Sequence, residues 1–160
     1  MLPLTHRARV FLQTLWSDSV DWDEQLTDEV RHEWNTICDD MDGFRKRIPR
    51  FLLTKHSRAQ LVICADASAE AYAACVYLVA APQSAHLIMV KARLPSRKRI
   101  VTIPKLELSA LRLAVRLAVS VVKQLKAITT IDHVLILSDS EIAIGWTVAQ
   151  DYLDSTLGIG

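Results

Sequence analysis

The chain has 160 residues, 51% of them apolar, enough for one domain or one domain with a smaller attached piece, and wholesale disorder is excluded. Its formal net charge of +1 conceals three unlike blocks: residues 1–42 carry three Lys/Arg against ten Asp/Glu, residues 43–126 sixteen against three, and residues 127–160 none against five. The basic middle suggests a polyanionic partner, with a solvated basic face as the plainer alternative.

The N-terminal stretch MLPLTHRARVFL lacks the apolar core of a signal peptide. Apolar runs elsewhere are too short to span a bilayer, so the expectation is an intracellular protein, cytoplasmic or nuclear, with no membrane partner. HRARVFLQTLW (6–16) reads as a helix, with apolar residues at Val10, Phe11, Leu15 and Trp16. A second helix is expected from Thr27, a good N-cap followed by Asp28 and Glu29 in the first turn. Val30, Trp34, Ile37 and Met41 recur at steps of four, three and four, one helical face. Trp16, Trp22 and Trp34 are read as packing residues. Gly43 is a stop and Ile48-Pro49-Arg50 a break, placing a domain boundary near 58: a helical segment over 1–58, then a second domain over 59–160.

Beyond the boundary the period changes. LVICAD (61–66), YAACVYLVA (72–80) and HLIMVKARL (86–94) read as three strands of an antiparallel meander. The first has no polar alternation, so both its faces are expected to be buried. A basic loop PSRKR follows, and Pro104 opens a long helix to about Ala127. VLILS (134–138) is a fourth strand, and EIAIGWTVAQ (141–150) has helical character weakened by Gly145. The order β-β-β-α-β-α implies an α/β fold whose mixed sheet has its fourth strand parallel to one of the first three. In such sheets functional groups gather at the carboxyl ends of strands, where Asp66 and Asp139 lie.

The long helix supplies a third acid. Its polar residues Lys105, Ser109, Arg112, Arg116, Ser120 and Lys123 fall on a stripe about 80° wide, the solvent face. Glu107 points about 180° away, among Leu106, Ala110, Leu113, Ala114, Leu117 and Val121. A first-turn acid is favoured by the helix dipole, which accounts for its position but not for its orientation. Pairing with Arg or Lys is one way to accommodate an inward carboxylate. Asp66 and Asp139 taken singly could simply cap the segments that follow them. Taken together, the three carboxylates would converge, and like charges at short range require a cation. Mg²⁺ suits hard carboxylate oxygens, and two such ions could activate a water and stabilise the leaving oxygen of a phosphodiester.

Weaker constellations are set aside. Cys38, Cys64 and Cys75 are odd in number without C-x-x-C spacing, which argues against metal binding through sulfur, and all three are read as structural. His133 with Ser138 or Ser140 lacks a nucleophile elbow. Asp66-Ala67-Ser68 and Asp139-Ser140-Glu141 lack the glycine of an aspartic peptidase's Asp-Thr-Gly or Asp-Ser-Gly.

In the order strand-DAS, TIPKLEL, strand-SDS, the chain resembles ribonuclease H domains of retroelement polymerases. More narrowly it resembles the polyprotein of Bel/Pao-type LTR retrotransposons, whose segments of this kind are also called Pao retrotransposon peptidases. The stretches that carry the resemblance are RVFLQTLWSDSVDWDEQL (9–26), RIPR (47–50), CADASAEAYAACVY (64–77), KARLPSRKRIVTIPKLELSA (91–110) and LSDSEIAIGW (137–146). The resemblance implies that residues 1–58 are a reverse transcriptase tail or connection and that 59–160 begin an RNase H-like fold. It also implies that Asp66, Glu107 and Asp139 bind two Mg²⁺ ions, with Mn²⁺ as a substitute. The implied substrate is the RNA strand of an RNA–DNA hybrid, and the implied partner the reverse transcriptase portion of the same polyprotein. Arg97, Lys98, Arg99 and Lys105 are candidate phosphate contacts. Such domains normally continue with a fifth strand and an acid-bearing helix, whereas this sequence ends at WTVAQDYLDSTLGIG, and no motif places Asp151 or Asp154 in that role. A C-terminally truncated domain is therefore expected, and with it a second reading: a non-catalytic nucleic-acid-binding or structural remnant of the polymerase.

Overall fold

The apolar spacing of the N-terminal part does produce two helices. The computed structural model describes residues 2–17, 20–47, 52, 57–80, 84–97 and 100–147. Helix α1 spans Leu2–Ser17 and α2 spans Asp28–Met41. Thr27 caps α2, its Oγ1 accepting a hydrogen bond from the Val30 amide at 3.4 Å. After the helix, Gly43 takes φ 70°, a left-handed conformation that costs glycine little. Among the described residues of the pair, Phe11 and Ile37 are the buried apolar ones, and Phe11 packs on Trp34 with ring centroids 5.4 Å apart. A guanidinium–carboxylate contact from Arg7 to Asp40 also joins α1 to α2. Trp16 and Trp22 depart from the packing expectation: they are 69% and 84% exposed and meet each other edge to face. Trp22 lies beyond the end of α1, off any helical face, so spacing alone misassigned it.

The chain divides into two units, Met1–Arg50 and Phe51–Gly160. The second is a mixed α/β unit. Its elements are β1 (Arg58–Ala67), β2 (Tyr72–Ala80), β3 (Ser84–Arg93), α3 (Ile103–Leu125) and β4 (Thr130–Leu137). The sheet order is β3-β2-β1-β4, with antiparallel pairing throughout except for the parallel β1–β4 pair. Ser68 closes the β1–β2 turn: its amide donates to the Ala71 carbonyl at 2.7 Å, and its Oγ accepts from the Glu70 and Ala71 amides at 3.2 Å.

Helix α3 starts behind Thr102 with a proline in its first turn and lays its apolar stripe on the sheet. Leu106, Ala110, Leu113, Ala114, Leu117 and Val121 are all buried, as the helical wheel requires. Ala110, Leu113, Ala114, Leu117 and Val121 share one core cluster with Leu61, Ile63 and Ala65 of β1 and Ala74, Val76 and Leu78 of β2. The expectation that β1 is buried on both faces needs correction. Its alternate residues Val62 and Cys64 are only half-buried, as are Cys75 and Tyr77 of β2. LVICA is apolar at every position, so its pattern carries no information about which face is covered.

Two register shifts adjust the sheet. In β3, Ile88 falls between the partners of Val76 and Tyr77 and packs against the core. In β4, Asp132 falls between the partners of Ala59 and Gln60 and is thereby freed from the ladder. It receives Arg58 across the strand pair, Nη2 at 2.7 Å and Nε at 3.0 Å from both carboxylate oxygens. The hydrogen bond from Arg58 holds the Asp132 carboxyl below its ordinary range, and Asp132 in turn raises the guanidinium. Ile48, Pro49 and Arg50 of the expected break, and residues 148–160, lie outside the described residues.

Two outcomes follow for stability. Leu61→Ala should lower the unfolding free energy by about 2–5 kcal/mol in urea titrations, because Leu61 is fully buried under α3, and Val62→Ala on the open face should cost clearly less. Asp132 has a depressed folded pKa, so its contribution is present above the unfolded carboxylate pKa and lost as pH falls through the folded one. Asp132→Asn should therefore lower the melting temperature at neutral pH and make no difference in strong acid.

Candidate functional site

The parallel pairing of β1 with β4 puts the carboxyl ends of both strands at one edge of the sheet. The last paired residues are Cys64 and Leu137. Asp66 and Asp139 each stand two residues further along, so the register brings their backbones to neighbouring positions, with strands about 4.8 Å apart. Asp66 is still in β1, opposite Ala73 of β2, and exposed. Its Oδ1 accepts a hydrogen bond from the Ala67 amide at 2.6 Å. By strand alternation it shares the face of Cys64, opposite the one covered by α3. Asp139 lies in the bend that follows β4 and is exposed.

Glu107 sits in the second turn of α3 and is half-buried, turned away from the polar stripe. Its partner is neither Arg nor Lys. Ser140, only 6% exposed, donates its hydroxyl to Glu107 Oε2 at 2.5 Å. The same Oγ accepts from the Ala143 amide at 3.1 Å, and the Ser140 carbonyl accepts from Ile144 at 3.0 Å. Ser140 therefore caps the helical residues 141–147 while tying them to α3. Ser138 Oγ completes the turn by accepting from the Ser140 amide at 3.3 Å. Sequence reasoning singled out Asp139 and weighed Ser140 only beside His133, not as a cap or as the partner of Glu107. The signal available was a serine immediately before an apolar-periodic segment, an N-cap pattern.

Asp139 thus adjoins the residue that holds Glu107, and Asp66 stands on the strand beside it. Their side chains do not gather into one cage: among the described residues no three His, Cys, Asp or Glu form a group that could hold a metal ion. Asp66 is turned to a backbone amide and Glu107 to a hydroxyl. Three hard carboxylate oxygens remain a donor set suited to Mg²⁺, and two of the three groups are accessible to solvent.

Of the proposed phosphate contacts, Arg97 and Lys105 are exposed, while Lys98 and Arg99 lie outside the described residues, as do Asp151 and Asp154. Lys105, Arg112, Arg116 and Lys123 are all exposed, forming a basic stripe along the outer face of α3. No described helix is long and apolar enough to cross a membrane.

A family model described as Pao retrotransposon-like RNaseH-like domain matches residues 1–140. The chain belongs to this family. A search of curated proteins returns no match.

The Ser140 contacts are testable as a cap. Ser140→Ala should destabilise the domain by about 0.5–2 kcal/mol. Adding Glu107→Gln to that variant should cost less than the same change in the parent chain, because the hydroxyl that served Glu107 is already gone. Chemical denaturation of the four proteins measures this coupling.

Proposed function

We propose that this Pao-type domain serves, within its polyprotein, as a ribonuclease H-type endonuclease that hydrolyses the RNA strand of RNA–DNA hybrids with Mg²⁺. The observation that carries the reading is the register of β1 with β4, which sets Asp66 and Asp139 at one sheet edge, with Glu107 tied to the residue following Asp139. Asp66, Glu107 and Asp139 are the residues that would hold the ions. Bound Mg²⁺ would supply an activated water and stabilise the leaving oxygen of the phosphodiester. Ser140 fixes one oxygen of Glu107 and so orients the carboxylate. Asp66 would exchange its contact with the Ala67 amide for the ion.

The charge distribution favours the same class of substrate. Residues 43–126 have sixteen Lys/Arg against three Asp/Glu, and two of those three acids are Asp66 and Glu107. Cations along α3 and at Arg97 would attract the hybrid's phosphates without reading sequence, giving affinity that falls steeply with salt. That stripe also supports a second reading, a non-catalytic module that binds hybrid beside the reverse transcriptase. Aspartic peptidase chemistry finds no support in Asp66-Ala67-Ser68 or Asp139-Ser140-Glu141.

Cleavage of a labelled RNA–DNA hybrid, measured beside hybrid binding, separates the two. With the domain in its polyprotein, Mg²⁺-dependent cleavage is expected, and Asp66→Asn should reduce it to background with binding retained. Cleavage undiminished by Asp66→Asn would overturn the nuclease reading, and binding without cleavage by either protein would favour the second.

A further inference from the structure

The face of the sheet that α3 leaves open carries two thiols side by side. Cys64 of β1 and Cys75 of β2 are direct cross-strand partners in the antiparallel ladder. Their neighbours along the chain, Ile63 and Ala65, Ala74 and Val76, are buried beneath α3, so alternation turns both cysteines to the opposite face. Both are free and half-buried. The row continues outward to Val90 on β3 and Leu137 on β4, which are 40% and 45% exposed, so small reagents can approach. Asp66 lies on the same face, two residues beyond Cys64.

Directly opposed residues of an antiparallel pair have Cα atoms about 4.5–5.5 Å apart, within the roughly 4.4–6.8 Å span that disulfides occupy. Their Cβ atoms, about 4.5–5.5 Å apart, need only a small approach to reach the roughly 3.5–4.5 Å of a disulfide. Burial, and then the adjacent Cys64 thiol, push the Cys75 thiol above its ordinary range.

We propose that Cys64 and Cys75 form a reversible thiol–disulfide site that reacts with small disulfide oxidants of the glutathione class and bridges β1 to β2 beside Asp66. One cysteine thiolate attacks the oxidant's S–S bond, forming a mixed disulfide and expelling one small thiolate. The second cysteine thiolate then attacks the protein sulfur of that mixed disulfide and expels the other. One S–S bond breaks and one forms, two electrons pass from the protein dithiol to the oxidant, and the two thiol protons end on the released thiols. The site is independent of the nuclease reading, since it requires only the β1–β2 register. The released small thiols can attack the bridge in turn, so the exchange runs in both directions and the bridge is reversible rather than a permanent staple.

The test uses the full chain carrying Cys38→Ser, exposed to oxidised glutathione under native conditions, quenched by alkylation and analysed by intact mass and peptide mapping. The expected product has lost two hydrogens, retains no glutathione, maps to a Cys64–Cys75 bridge and returns to the dithiol with dithiothreitol. Adding Cys64→Ser should halt the reaction at a stable glutathione adduct on Cys75. The equilibrium between bridge and glutathione should favour the bridge several-fold more in the native chain than in urea. Two retained glutathiones, disulfide-linked dimers, an unreacted protein, or a bridge no more favourable in the native chain than in urea would each overturn the proposal.

Discussion

The parallel pairing of β1 with β4 is the constraint on which the rest of the domain depends. Two parallel strands in one sheet cannot be joined by a tight turn, so the chain must cross over between them, and here the crossover includes α3. Parallel pairing also means that both strands finish at the same edge. Asp66 and Asp139 are far apart along the chain and come to one place only because β4 docks on β1 in the same direction and in this register. An antiparallel β4 would send Asp139 to the opposite edge, and the carboxylates would share nothing.

What holds that pairing is the apolar stripe of α3, which covers β1, β2 and part of β4. Its small residues Ala110 and Ala114 are almost fully buried and permit close approach between helix and sheet. The packing that stabilises the sheet also fixes the rotation of α3, and with it the direction of Glu107. A carboxylate turned inward would be costly without a partner, and Ser140 provides one while capping the next helical segment. Core packing and site geometry are therefore not separable here. A change that rotated α3 would expose leucines and move Glu107 together.

The parts of this fold that were legible from sequence were those in which periodicity contrasts polar with apolar residues. On α3, six polar residues form a narrow stripe, so the buried face and the inward Glu107 could be read before any coordinates. Thr27 announced the start of α2 through the chemistry of its hydroxyl. The strand LVICA was less informative because every position is apolar: it identifies a strand but not its covered face, and the open face bearing Val62 and Cys64 was missed. Cys64 and Cys75 read singly as small hydrophobes, since cross-strand register is a property of the pair. Trp22 shows the complementary error, in which a residue beyond a helix end was assigned to a helical face. Ser140 read only as a candidate nucleophile beside His133, because its contact with Glu107 joins residues distant along the chain.

If positions 66, 107 and 139 form one ion-binding edge, paramagnetic NMR will locate the ion there. Titrating Mn²⁺ into the isotopically labelled chain broadens amide resonances near a bound ion. Saturable broadening centred on residues around Asp66, Glu107 and Asp139 is expected, displaced by excess Mg²⁺ and lost in Asp139→Asn. Broadening that never saturates, or that centres on another part of the molecule, would contradict it.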